Sequence, residues 1–169
     1  DDNLATRTFN TDIIRHNVKV EDMSLDENLN QIVEQGKSKK VLVIVNTVKS
    51  AVDTYEKLKN INDNVNLNLL HSMSIQEDRV KLENNIKEFA KNENIGIWIT
   101  TQLVEASLDV DFDVLHTEVS TLDSLFQRFG RCNRKGLKLI DSPNVFIYKK
   151  EANGIGSIYD KDIVNKGLE

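Results

Sequence analysis

Residues 41–60 read VLVIVNTVKSAVDTYEKLKN. The first five are apolar and mostly β-branched, with none of the alternation a half-exposed strand shows, so they form a strand covered on both faces. After Asn46 and Thr47 the period changes to that of a helix over 48–60. The same rhythm extends outward. NLNLLH (66–71) reads as a second strand, Ser74 and Glu77 as a capping box opening a helix to residue 91, and IGIWIT (95–100) as a third buried strand. An irregular stretch over 101–111 leads to a strand at 113–119, a helix over 121–134 and a strand at 144–149. Upstream, a possible strand at 13–20 precedes a second capping box, Ser24 with Glu27, whose helix stops at Gly36. Strands alternating with helices predict an α/β domain, a parallel sheet with helices on both faces. Ligands of such sheets meet the loops at the carboxyl ends of the strands. The expected organisation is a connector over 1–23, the domain over 24–150 and an extension or linker over 151–169.

The 169 residues suit one domain. A single cysteine, Cys132, excludes an internal disulfide and fits a reducing, cytoplasmic setting. Neither a membrane span nor a signal peptide is visible, and the start, Asp1-Asp2-Asn3, reads as a cut inside a longer protein. The net charge of −5 is unlike that of most free-standing nucleic-acid binders, so any such role depends on local charge placement.

Several motifs are decoys. Gly36-Lys37-Ser38 resembles the end of a phosphate loop, but position 31 is Gln31 and the tripeptide precedes a strand instead of following one. Asp26-Glu27-Asn28 lies at a helix start, the wrong place for an acidic magnesium-holding motif. Asp109, Asp111 and Asp113 imitate a calcium loop, yet its sixth and twelfth positions are Val114 and Ser120. His16, His71 and His116 have no ligand partner at metal spacing, so no metal site is expected. Any ATP chemistry must therefore be completed by another domain.

The segment TLDSLFQRFGRCNRKG (121–136) is the most informative. At about 100° per residue, Leu122, Leu125, Phe126, Phe129 and Cys132 share one arc, the expected core face. Gln127, Arg128, Arg131 and Arg134 share the opposite one. No carboxylate lies four residues from any of these arginines, and Gly130 interrupts the helix beside them. The pattern predicts a ladder of guanidinium groups awaiting an external polyanion, since forked guanidinium groups match phosphate oxygens.

This segment resembles the Q-R-x-G-R-x-x-R signature of superfamily 2 helicases. The resemblance implies that Arg131 and Arg134 are arginine fingers for an ATP γ-phosphate, with Gln127 and Arg128 at the cleft between two lobes. VLVIVNTV (41–48) resembles an earlier motif of the family, with Asn46 and Thr47 facing a nucleic-acid backbone. LLHSMSIQEDR (69–79) resembles the next, with His71 and Ser72 near that backbone and Arg79 on the helix. ITTQLVEASLDVDFDVLHTE (99–118) resembles a third, in which Thr101 contacts a strand phosphate and Asp109 the ATP ribose. The wording is most similar to the type I CRISPR-associated helicase-nucleases. That family implies the second RecA-like lobe, the helicase C-terminal lobe, of an ATP-dependent DNA helicase in CRISPR antiviral defence. The implied cofactor is ATP, its Mg²⁺ held mainly by a first RecA-like lobe, and the implied partners are that lobe, single-stranded DNA, an HD nuclease domain and the CRISPR RNA-guided surveillance complex. Two alternatives stay open: the equivalent lobe of a recombination-type repair helicase, and a passive RecA-like binding module.

Overall fold

The structure, a computed structural model, describes residues 14–61, 64–71, 76–106 and 109–167. Among the described residues six parallel strands form one sheet: β1 (Val18–Glu21), β2 (Lys40–Ile44), β3 (Leu67–Leu70), β4 (Gly96–Thr100), β5 (Val114–Glu118) and β6 (Val145–Tyr148). Their spatial order is β1-β6-β5-β2-β4-β3. The helices are α1 (Leu29–Gly36), α2 (Val48–Ile61), α3 (Gln76–Lys91), α4 (Leu103–Ala106), α5 (Leu122–Phe129) and α6 (Lys161–Lys166). The expected capping residue Ser74 lies outside the described residues.

β2 shows why its sequence lacks alternation. Val41, Val43 and Val45 enter one core layer with Ile32, Val33, Ala51 and Leu58 from α1 and α2. Leu42 and Ile44 enter the other, with Ile86, Phe89, Val104 and Leu125 from α3, α4 and α5. Both faces are thus covered, as a parallel sheet requires. Gly36 closes α1 for reasons of space: a Cβ there would stand 2.6 Å from Cγ1 of Ile97. At the far edge, β1 pairs with β6 from Val18↔Val145 to Glu21↔Tyr148. The segment after β6 also belongs to the packed body, because Ala152, Ile155 and Tyr159 pack on the core and Val164 is buried in it.

His116 of β5 lies wholly inside, stacked on Phe146 with ring centroids 4.7 Å apart. Its Nε2 donates to Oε1 of Gln35 at 2.6 Å, and its Nδ1 accepts from the Tyr148 hydroxyl at 2.7 Å. Burial pushes its pKa down to about 3. As pH falls, the unfolded chain takes up this proton near 6.5 and the folded chain only near 3, so the stability is complete above 6.5 and is lost on the way down. We expect this group alone to cost about 3 kcal/mol of stability between pH 7 and pH 4. Urea unfolding of the protein and of His116→Phe at both pH values measures it; equal pH dependence in the two would contradict the assignment.

Candidate functional site

The helix carrying the arginines is shorter than its periodicity predicts. α5 ends at Phe129, and Gly130 is its C-cap, with its N–H donating to the Phe126 carbonyl at 3.1 Å. A glycine is poor at continuing a helix, and the next residues have competing partners. Phe112 N–H donates to the Arg131 carbonyl at 2.9 Å, and Asn133 N–H to the Phe112 carbonyl at 3.0 Å. Arg131 and Arg134 therefore leave the helix and lie along the entry to β5. The expected core face is corrected too: Leu122 is 44% and Phe126 60% exposed, while Leu125 and Arg128 face inward.

Arg128 is the largest departure from the expected ladder. Its guanidinium is 0% exposed, and all five of its N–H groups have acceptors. Nε donates to Oε1 of Glu105 at 2.7 Å. Nη1 donates to Oγ1 of Thr117 at 2.7 Å and to the Glu118 carbonyl at 3.1 Å. Nη2 donates to Oδ1 of Asn46 at 3.1 Å and to the Tyr159 hydroxyl at 2.9 Å. Arg128 thus ties together the loop after β2, the end of β5, α4 and the segment after β6. It is an internal clamp, with no donor left for a polyanion. The expectation failed because its acid, Glu105, is supplied by tertiary contact and is invisible to a search along one helix.

The other two arginines occupy the flank. Nη2 of Arg131 donates to the Glu105 carbonyl at 2.8 Å. Burial, and then the charge of Arg134, lower the Arg131 pKa. The Arg134 guanidinium pairs with Asp109, and the Arg134 backbone N–H donates to Oδ1 of Asp111 at 2.9 Å. The Arg134 and Asp109 side chains are 47% and 84% exposed. An ion pair so open to water contributes at most about 1 kcal/mol and yields readily to a stronger anion. Arg134 borders two concavities. One, of about 280 Å³, includes Gln127 and Arg131; the other, of about 470 Å³, includes Asp109, Asp111 and Lys91. A third cavity of about 320 Å³ is lined by Asp26, Asp53, Glu118 and Glu151 against one lysine, Lys57, and so repels polyphosphate. Burial holds the Glu118 carboxyl there above the usual range. Among the described residues no group of three or more acids, histidines or cysteines could hold a metal.

The expected strand-facing residues lie at the carboxyl ends of β2, β3 and β4. Asn46 is buried, donating to the Val119 carbonyl at 2.9 Å and accepting from Arg128, so its side chain is committed internally. Thr47 starts α2, its Oγ1 accepting from Ser50 N–H at 3.0 Å. His71 is half-buried and Thr101 fully buried. Ser72 and the side chain of Arg79 lie outside the described residues.

A sheet of this topology, with a Gln-Arg-x-Gly-Arg-x-x-Arg turn on its flank, has close relatives. The model for "CRISPR-associated nuclease/helicase Cas3, C-terminal" matches residues 37–137. The chain belongs to the Cas3 family. It is 30% identical over 165 residues to the Cas3 nuclease/helicase of Methanothermobacter thermautotrophicus, covering 96% of this chain and 20% of that protein. The T. fusca Cas3–ADP crystal structure matches with a TM-score of 0.71 at 22% identity, over 89% of this chain and 20% of that one. A chain in a pre-nicking CRISPR RNA-guided surveillance complex matches at 0.69 and 20%, over 89% and 21%. This Cas3 segment therefore spans about one fifth of the length of these relatives, and its fold is the RecA-like lobe that the motifs imply.

Within the Cas3 lobe the residues expected from sequence fall into two groups. Asp109, Gln127, Arg131 and Arg134 gather on the flank, whereas Asn46, Thr47, His71 and Thr101 stay at the strand ends. Arg128 and Glu105 bridge the two. Sequence reasoning missed Glu105 as the partner of Arg128, although it stands in a recognised motif. It also missed Tyr159, whose ring lies 5.9 Å from the Arg128 guanidinium. No local signal marks Tyr159, because its partner is contributed by a different element.

Among the described residues no helix is long and apolar enough to cross a membrane.

Proposed function

We propose that this chain is the second motor lobe of an ATP-dependent single-stranded-DNA translocase acting in CRISPR interference. ATP supplies the phosphoryl group and is held, with Mg²⁺, mainly by the phosphate loop of a first lobe. From this chain, Arg131 and Arg134 meet the terminal phosphate and stabilise charge in the transition state. Asp109 accepts the ribose hydroxyl once Arg134 exchanges it for phosphate, and Gln127 lines the same cleft. The loops after β2, β3 and β4, with Thr47, His71 and Ser72, grip the strand backbone without reading bases, and Thr101, buried beneath the last of them, supports its loop from inside. Asn46 and Arg128 act from inside, as the link between the two edges. In the whole protein an HD nuclease receives the strand, and a CRISPR RNA-guided surveillance complex, of the kind whose pre-nicking structure contains a chain of this fold, recruits it.

One observation carries this reading: two arginines and an exposed aspartate share a flank of a chain that has no phosphate loop of its own. The isolated chain should therefore turn over no measurable ATP and bind single-stranded DNA weakly, losing affinity steeply as salt rises. Phosphate release and fluorescence anisotropy measure the two. Robust turnover by this chain alone would sink the half-site reading.

A further inference from the structure

The 280 Å³ groove beside the arginine turn holds a residue that no motif accounts for. It is lined by Arg15, His16, Phe126, Gln127, Arg131 and Arg134, around Gly130. Its described lining includes no carboxylate, in a chain with 27 acidic and 22 basic residues. Acids pair with cations across the surface, as in Lys57–Asp26, Lys138–Asp113 and Lys149–Asp22, and of the groove's own cations Arg134 reaches Asp109 outside the lining. Burial chiefly lowers the Arg131 pKa, the like charge of Arg134 lowers it further, and Asp109 opposes the two.

Arg15 is delivered to this groove by a built anchor. Its carbonyl accepts from two side-chain amides, Nδ2 of Asn133 and Nδ2 of Asn144, both at 3.1 Å. Both asparagines are buried, and Asn133 takes φ +43° to serve, a backbone region costly for a residue with a side chain. On the next residue, His16 Nε2 donates to the Cys132 carbonyl at 2.8 Å and the ring tilts over Phe129. Asn17 N–H donates to Oδ1 of Asn144 at 2.8 Å. Every one of these bonds fixes the backbone or a neighbour, and the exposed Arg15 side chain is left to line the groove.

We propose that Arg15 is a third phosphate-binding guanidinium of the nucleotide site, taking the polyphosphate of a nucleoside triphosphate together with Arg131 and Arg134. The inference rests on the motor-lobe reading. A nucleotide is favoured over a DNA strand because the groove lies with Arg131 and Arg134, whereas Thr47 and His71 stand at the strand ends. Arg15 binds ground state and transition state alike, so it acts on KM; the fingers act on kcat.

The test is ATPase kinetics and single-stranded-DNA binding of the full-length protein carrying Arg15→Ala, Arg15→Lys or, separately, Arg131→Ala. Arg15→Ala should raise KM for ATP about tenfold with kcat within about twofold, DNA affinity unchanged and Arg15→Lys intermediate. Its fold should be unaffected, since the anchor uses the carbonyl; a melting temperature equal to that of the parent checks this. If KM is unchanged while Arg131→Ala is inactive, the Arg15 inference fails and the motor reading stands. Weakened DNA binding at unchanged KM assigns the groove to the strand and also overturns the inference. Full activity of Arg131→Ala removes the motor reading, and this inference with it.

Discussion

Arg131→Ala in the full-length protein is expected to lower kcat for ATP by about 10³-fold or more, with KM little changed. The magnitude follows from where the side chain is held. A finger acts only if it is in place before charge develops, because reorganisation during the reaction would consume the gain. Nη2 of Arg131 is fixed by the Glu105 carbonyl at 2.8 Å, on the turn that Gly130 creates. Arg131→Lys should not restore the rate, since an ammonium cannot reproduce the fork. Arg134, in its open pair with Asp109, is less constrained, and Arg134→Ala should cost less. Steady-state turnover with saturating single-stranded DNA measures all three, and wild-type turnover in Arg131→Ala would rule out the finger role.

Three residues earlier, the same substitution should have a different effect. Arg128→Ala is expected to destabilise the fold by about 3–5 kcal/mol, the cost of leaving a buried partner charge without its counter-ion. The acceptors it abandons are the Glu105 carboxylate, the Thr117 hydroxyl, the Asn46 amide oxygen, the Glu118 carbonyl and the Tyr159 hydroxyl. Against a usual total of about 5–15 kcal/mol this is a large fraction, and for a domain of this size it lowers Tm by roughly 6–20 °C. Arg128→Lys should recover little, because three donors on one nitrogen cannot reach acceptors spread around a plane. Thermal and urea denaturation of the isolated chain measure the loss. Melting at the parent temperature would show that Arg128 is no clamp.

Much of this fold is legible along the chain. The unalternated runs at 41–45 and 95–100 point to buried parallel strands, because a strand covered on both faces has no wet side to alternate with. The switch to helical period after Thr47 places a helix there, and four motifs in order identify the lobe. All of these are local or sequential patterns. The expected 121–134 helix was too long because periodicity continues through Gly130, whereas the chain stops being helical where Phe112 recruits the Arg131 carbonyl.

The sequence by itself therefore determined the strand–helix alternation, the family and the position of an arginine-rich turn. Which arginine turns inward was decided only in three dimensions. Helical spacing says which residues share a face but not which face is wet. Leu122 and Phe126 ended outside and Arg128 inside because five acceptors from four separate elements converge on one guanidinium, and a buried charge is tolerable only when such partners already surround it.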